Sequence, residues 1–127
     1  MAKKEKALSK AGRRSPCPVA CSLDIFGDRW SLLIVRDLIC GRTRFKELAG
    51  SPEGIATNLL TDRLVRLRRA GIIEQMTPAD GSKHMAYRLT AKGEALRPVL
   101  QLIRDWGLQW EEGTQAYLSP VEVRGKS

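Results

Sequence analysis

A chain of 127 residues with 22 Lys and Arg against 14 Asp and Glu carries a formal net charge of +8 at pH 7. Its length suits one domain with one core, and its 43% share of hydrophobic residues excludes wholesale disorder. No apolar run approaches the roughly 20 residues of a membrane span, so the excess positive charge favours a polyanionic partner, nucleic acid before an anionic surface.

Residues 1–15 hold Lys3, Lys4, Lys6, Lys10, Arg13 and Arg14 against Glu5, with few apolar residues and no period. They read as a flexible basic arm, either a solubilising tail or a grip on DNA. The arm lacks the apolar core of a secretory signal. The expected compartment is therefore the cytoplasm, with the three cysteines mostly reduced. A domain over residues 16–112 follows, and residues 113–127 read as an irregular tail.

Pro18 suits a first helical turn, and Val19 to Phe26 continues as a short helix that Gly27 ends. Asp28 is placed to cap the next helix, Arg29 to Cys40, where Trp30, Leu33, Ile34, Leu38 and Ile39 recur at helical spacing. Gly41 stops it. The stretch TRFKELAGS reads as a third short helix capped by Thr43, with Phe45, Leu48 and Ala49 inward and Glu47 placed for a capping box. After the turn SPEG, a longer helix puts Ala56, Leu60, Leu64 and Leu67 on one inward face and stops at Gly71. IIEQM is a strand, TPADGSK a loop with a hairpin signal at Asp80-Gly81, and HMAYRLT a returning strand. Thr90 caps a last helix with Leu96, Leu100, Ile103, Trp106 and Trp110 along one side, and Pro98 predicts a kink or break within it.

Four helices, a hairpin and a last helix make a mainly α fold with a small β-hairpin, an α+β arrangement. Two short helices joined by a tight turn and then a hairpin follow the plan of a winged helix-turn-helix, whose second helix of the pair enters the DNA major groove. Here that helix opens with Thr57, Asn58, Thr61 and Asp62. Asn can bond adenine in a bidentate manner, and Thr offers a hydroxyl and a methyl to thymine, although both also serve as N-terminal caps. Arg63 and Arg66 suit phosphate or guanine. Arg68 and Arg69, at the helix end, suit the helix dipole first. Arg44, Lys46, Lys83, His84 and Arg88 flank this helix in such a plan, and each is a candidate for phosphate.

The stretch from Cys17 to Glu74, followed by YRLTAKGEALRPVLQLIRDWG, resembles the HxlR-type winged helix-turn-helix regulators, relatives of the broader MarR group. The pieces that carry the likeness are Cys17-Pro18-Val19, Gly27 with Trp30, Arg44-Phe45 with Glu47-Leu48, Leu60-Thr61 with Leu64 and Gly71, and Tyr87, Leu89-Thr90, Gly93, Leu96 and Pro98. The resemblance implies a homodimeric bacterial transcription factor that binds double-stranded DNA, dimerising through its N- and C-terminal helices. That interface would take Val19, Leu23, Leu100, Ile103, Trp106 and Trp110. Ala86 stands where members often carry Glu, the wing tip lacks the usual proline-rich sequence, and Ala56-Thr57-Asn58 replaces the frequent Ser and Gln. The operator should differ accordingly.

The resemblance also implies that Cys17, with Cys21 one turn later, is a candidate sensor of oxidants or electrophiles. A thiol at a helix N-terminus sees partial positive charge, and Arg13 and Arg14 would add to it; the plainer reading is that both cysteines only pack. Cys40 reads as core. Cys17, Cys21 and His84 do not supply a zinc site, and no metal or cofactor is expected. No phosphate loop, paired catalytic histidine or nucleophile motif suggests an enzyme. The expectation is a sequence-specific regulator, most simply a repressor, responsive to a small-molecule effector or an oxidant. The alternatives are an architectural nucleic-acid binder without sequence preference and a protein–protein module.

Overall fold

The computed structural model describes residues 13–78, 81 and 85–116. Its elements run α1 (Pro18–Phe26), α2 (Ser31–Ile39), α3 (Phe45–Ala49), α4 (Thr57–Arg69), β1 (Ile73–Met76), β2 (Ala86–Leu89), α5 (Ala91–Glu94) and α6 (Arg97–Trp110). This is a winged helix-turn-helix: α3, the tight turn and α4 precede a two-stranded antiparallel hairpin. The tip residues Lys83 and His84 lie outside the described residues, as do most of the basic arm and of the tail.

α2 is the central element, packed against β2, α3 and α6. Its Ile34, Val35 and Leu38 join Leu48, Ile55, Leu60, Leu64, Leu67, Ile72, Ile73, Tyr87, Leu96 and Leu100 in one core. The leucine stripe of α4 is inward as its spacing predicts, with Leu60, Leu64 and Leu67 at most 2% exposed. Ala56 departs from that stripe. It is exposed and extended, the residue just before the helix, so its side chain has left the helical register and Ile55 fills the core instead.

Local signals set most boundaries. Gly71, at φ +77°, closes α4, with its N–H on Arg68 O and that of Ile72 on Leu67 O, the paired bonds of a glycine stop. Thr90 Oγ1 accepts from Gly93 N at 3.1 Å and so caps α5. The predicted interruption at Pro98 is a break: α5 ends at Glu94, and Pro98 lies in the first turn of α6. A methyl group at Gly93 would stand 2.2 Å from Ile72 O, so only glycine lets α5 approach the hairpin this closely.

Two helices start later than expected, and both strands are shorter than IIEQM and HMAYRLT, at Ile73–Met76 and Ala86–Leu89. The second helix starts at Ser31 rather than Arg29, because Asp28 accepts from Trp30 N and Ser31 N, each at 3.0 Å, and turns the chain into the helix there. The third starts at Phe45 with Arg44, not Thr43, at the cap position. The Glu47 carboxylate does reach back, taking the N–H of Thr43 at 2.8 Å and of Arg44 at 3.0 Å, and those two bonds hold its carboxyl below the usual range.

Within the hairpin, Ile73 faces Leu89 and Glu74 faces Arg88. Arg44 bridges Ala86, and Tyr87 N donates to Thr43 O at 2.8 Å, so the chain before α3 runs along the other edge of β2. Among the described residues no helix is long and apolar enough to cross a membrane.

Candidate nucleic-acid interface

With its leucines buried, α4 turns Thr57, Asn58, Thr61, Asp62, Arg66, Arg68 and Arg69 to solvent. Helical spacing sorts these further. Asn58, Asp62, Arg66 and Arg69 lie opposite the buried stripe, Thr57, Thr61 and Arg68 lie on one flank, and Arg63 lies on the other.

The Thr61 hydroxyl donates to Thr57 O at 3.0 Å, which leaves its methyl and its lone pairs outward. The exposed Asn58 amide has no hydrogen-bond partner among the described residues. Arg66 Nη1 stands 3.9 Å from Asp62 Oδ2, a loose surface pair of the kind that contributes little and yields easily to a phosphate. Arg68 and Arg69 are exposed and pair with no acid among the described residues; they border an open groove of about 740 Å³ beside Glu74 and Met85.

Arg63 differs from the other three. Its side chain is 15% exposed, its Nε donates to Asp28 Oδ2 at 2.9 Å, and its Nη1 bonds Asp62. The Ser31 hydroxyl also donates to Asp28, at 2.5 Å. Burial alone would raise the Asp28 carboxyl, but the bonds from Ser31 and Arg63 and from the N–H groups of Trp30 and Ser31 outweigh it and hold it at about 2.

The turn before α4 is held in a related way. Arg36 binds Asp37 at 2.8 Å and Glu53 at 2.7 Å, and the Ser51 hydroxyl donates to Glu53 at 3.0 Å. Arg36 brings the Glu53 carboxyl down to about 2 against its partial burial.

Arg44 is half-buried where it bridges β2, and Lys46 is exposed on α3. Arg88 spends its guanidinium on Glu74 across the hairpin, at 2.6 Å. Lys83 and His84 fall outside the described residues.

Cys17 is exposed just before α1, and the N–H groups of Ala20 and Val19 lower its thiol pKa. The arginine contribution expected from the sequence is absent at Arg14, whose Nε donates to Asp24 of α1 at 2.6 Å. Cys21 is half-buried and donates to Ser15 O at 3.2 Å, while Cys40 is buried.

The end helices present another surface. Val19 and Leu23 on α1 and Leu102, Ile103, Trp106, Leu108 and Trp110 on α6 are between 46% and 70% exposed. Leu100, expected on that surface, is 7% exposed and belongs to the core, one turn before Ile103 and Arg104 come out. A cleft of about 240 Å³ lies between α2 and α6, bordered by Leu33, Arg36, Ile103, Arg104 and Leu108.

Residues 25–115 match the family model described as HxlR-like helix-turn-helix. The HTH-type transcriptional regulator YodB of Bacillus subtilis (strain 168) is 33% identical over 97 residues, covering 76% of this chain and 87% of YodB. The reduced form of YodB superposes with a TM-score of 0.64 at 31% identity, over 80% of this chain and all of the other. YodB has also been solved bound to quinone and treated with diamide. The crystal structure of PA1607 matches at TM-score 0.73 and 44% identity, over 82% of this chain and 72% of that one. The redox regulator HypR in its reduced form matches at 0.65 and 28%, over 76% and 95%.

Proposed function

The chain belongs to the HxlR-like helix-turn-helix family of transcriptional regulators, and from that premise we propose that it binds a pseudo-palindromic operator in the cytoplasm as a homodimer and represses by occupying it. The observation that carries this reading is the outer face of α4. Asn58 and Thr61 stand outward near its N-terminal end, with Arg66 one turn beyond, over a stripe of leucines that cannot turn out without unfolding the core. The N-terminal part of a recognition helix meets base edges, and cations further along meet phosphate. Lys46, exposed on the preceding helix α3, is a further cation for the backbone.

The exposed aromatic face of α6, with Val19 and Leu23 of α1, supports the dimer. Apolar patches of this kind mark protein contacts, and aromatic residues anchor them. Two α4 helices then address half-sites about one helical turn apart. The test is selection of bound fragments from genomic DNA, followed by footprinting and a promoter reporter. A two-fold motif protected by a dimer is expected. Equal retention of random duplex would replace this reading with that of an architectural binder.

A thiol response is a second reading, favoured by the exposure and lowered pKa of Cys17 and by the quinone and diamide forms of YodB. A quinone would accept the Cys17 thiolate at a ring carbon and take up a proton to become a hydroquinone thioether. Diamide would take two electrons and two protons from two thiols and leave a disulfide. Operator binding by the parent should change with either reagent, and Cys17→Ser should not respond. A parent indifferent to both reagents would remove this reading and leave the operator reading intact.

A further inference from the structure

Arg63 looks, in sequence, like one more cation for DNA. It stands on the flank of α4 away from Thr61 and Arg68, with Nε on Asp28 and Nη1 on Asp62, and shows only 15% of its side chain. Asp28 belongs to no helix. It sits at the α1–α2 junction, 35 residues earlier, and accepts from Trp30 N, Ser31 N, the Ser31 hydroxyl and Arg63 Nε. One carboxylate therefore starts α2 and grips α4, just after Gly27 has closed α1.

A buried stripe of leucines forbids a large rotation of the helix, but a roll of a few degrees needs only small side-chain adjustments in the core. Rotation is what base reading cannot tolerate. At the roughly 5–6 Å outer radius of a helix, a roll of about 10° carries a side-chain tip about 1 Å, against a tolerance of about 0.5 Å for a productive site. A charge-assisted bond on the flank opposes that roll directly. The Arg36–Glu53 pair fixes the turn before α4, and it does not touch the helix itself.

We infer that Asp28 is a positioning residue for DNA recognition: through Arg63 it sets the roll of α4 against the α1–α2 junction, and Arg63 itself is not a phosphate ligand. The inference rests on the operator reading and adds to it.

The test is a double-mutant cycle with Asp28→Asn, which keeps an oxygen for the two N–H groups but removes the charge that makes the Arg63 bond strong, and Arg63→Met, which keeps the stem. Binding to the operator and to random duplex is titrated over a salt series. Each single variant should lose about tenfold on the operator and change little on random duplex, and the double should be no worse than either single. The slope of log K against log salt should stay at the parental value, and Arg63→Lys should recover part of the loss. A slope flattened by about one in Arg63→Met with Asp28→Asn silent, or losses that add in the double, would overturn the inference. A parent that does not distinguish operator from random duplex sinks the operator reading instead. The clamp is then decided by the orientation of the α4 amides in residual dipolar couplings: a helix that keeps its roll in Asp28→Asn overturns it, and a rolled one supports it.

Discussion

α4 and α6 are close in length, at 13 and 14 residues, and both are amphipathic, yet they use their two faces in opposite ways. α4 buries a complete leucine stripe and shows water a polar, basic face. α6 buries only Leu100 and keeps Trp106 and Trp110 at 61% and 63% exposed. The first helix buries its whole apolar stripe within the chain and, on the proposed reading, meets DNA. The second leaves most of its apolar face exposed and, on that reading, meets a second copy. Apolar spacing alone does not separate these cases, because Leu96, Leu100, Ile103, Trp106 and Trp110 are as regular a series as Leu60, Leu64 and Leu67. The difference lies in what stands opposite. Leu96 and Leu100 meet the core, and beyond them Ile103, Trp106 and Trp110 have no such cover among the described residues.

Truncation should separate the two stripes most strongly. Leu60→Ala removes a side chain with 0% exposure and should cost about 2–5 kcal/mol in denaturant unfolding at any protein concentration. Trp106→Glu should leave the folded protomer intact and weaken self-association by about 2–4 kcal/mol, seen as a concentration-dependent mass in sedimentation. Equal effects of both variants on the protomer would mean that α6 is packed more tightly than its exposure indicates.

Acid should sharpen the contrast, because α4 is ion-paired to the frame and the outer face of α6 is not. The Asp28 carboxyl has an ordinary value of 3.8 and is held at about 2 in the folded chain. A group depressed on folding stabilises fully above its unfolded value, so this contribution, about 2 kcal/mol, is complete above about pH 4 and disappears as pH falls through 2. Glu53, also lowered to about 2, titrates in the same window. Urea midpoints between pH 5 and pH 2 should fall for the parent and flatten for Asp28→Asn. Parallel curves would show that the pair is not formed in solution.

On the outer face of α4, Asn58→Ala should relax discrimination at one base pair per half-site, by about 1–3 kcal/mol. Binding competition among single-base operator variants measures this, and an unaltered preference would leave Asn58 as no more than a residue of the first turn.

Legibility in the sequence follows the range of the interaction. The leucine stripe, the Gly71 stop, the Thr90 cap, the Glu47 back-bond and the break at Pro98 each depend on residues within one or two turns, and each is readable from spacing and residue type. The Asp28–Arg63 pair spans 35 residues, the Arg36–Glu53 pair 17, and the bridge from Arg44 to Ala86 joins two edges of the hairpin region. A sequence shows an arginine as a charge and does not show which carboxylate the fold will bring beside it. Hence Arg63 reads as equivalent to Arg66, and Arg88 as a free cation, until Asp28 and Glu74 are placed. Asp28 does carry one local signal. An acid between a glycine stop and a new helix is a cap, and a capping carboxylate oxygen has lone-pair room for one more donor: Oδ2 takes both N–H groups and Arg63 Nε, while Oδ1 takes the Ser31 hydroxyl.

The smallest expected effect tests that distinction between neighbouring arginines on one helix. Arg66 lies opposite the leucine stripe, about half exposed at 48%, and its acid partner Asp62 is 3.9 Å away. Such a pair contributes less than about 1 kcal/mol, so Arg66 can move to phosphate at little cost. Arg66→Gln should therefore weaken binding to operator and random duplex alike, lower the slope of log K against log salt by about one for each phosphate that Arg66 neutralises, and leave stability unchanged. Arg63→Met should do the reverse, with selective loss on the operator at a constant slope. If both variants flatten the slope, all of the α4 arginines belong to the phosphate face and the pairing with Asp28 opens on DNA. If neither does, the charge that holds DNA lies on other elements, and Lys46 becomes the next residue to remove.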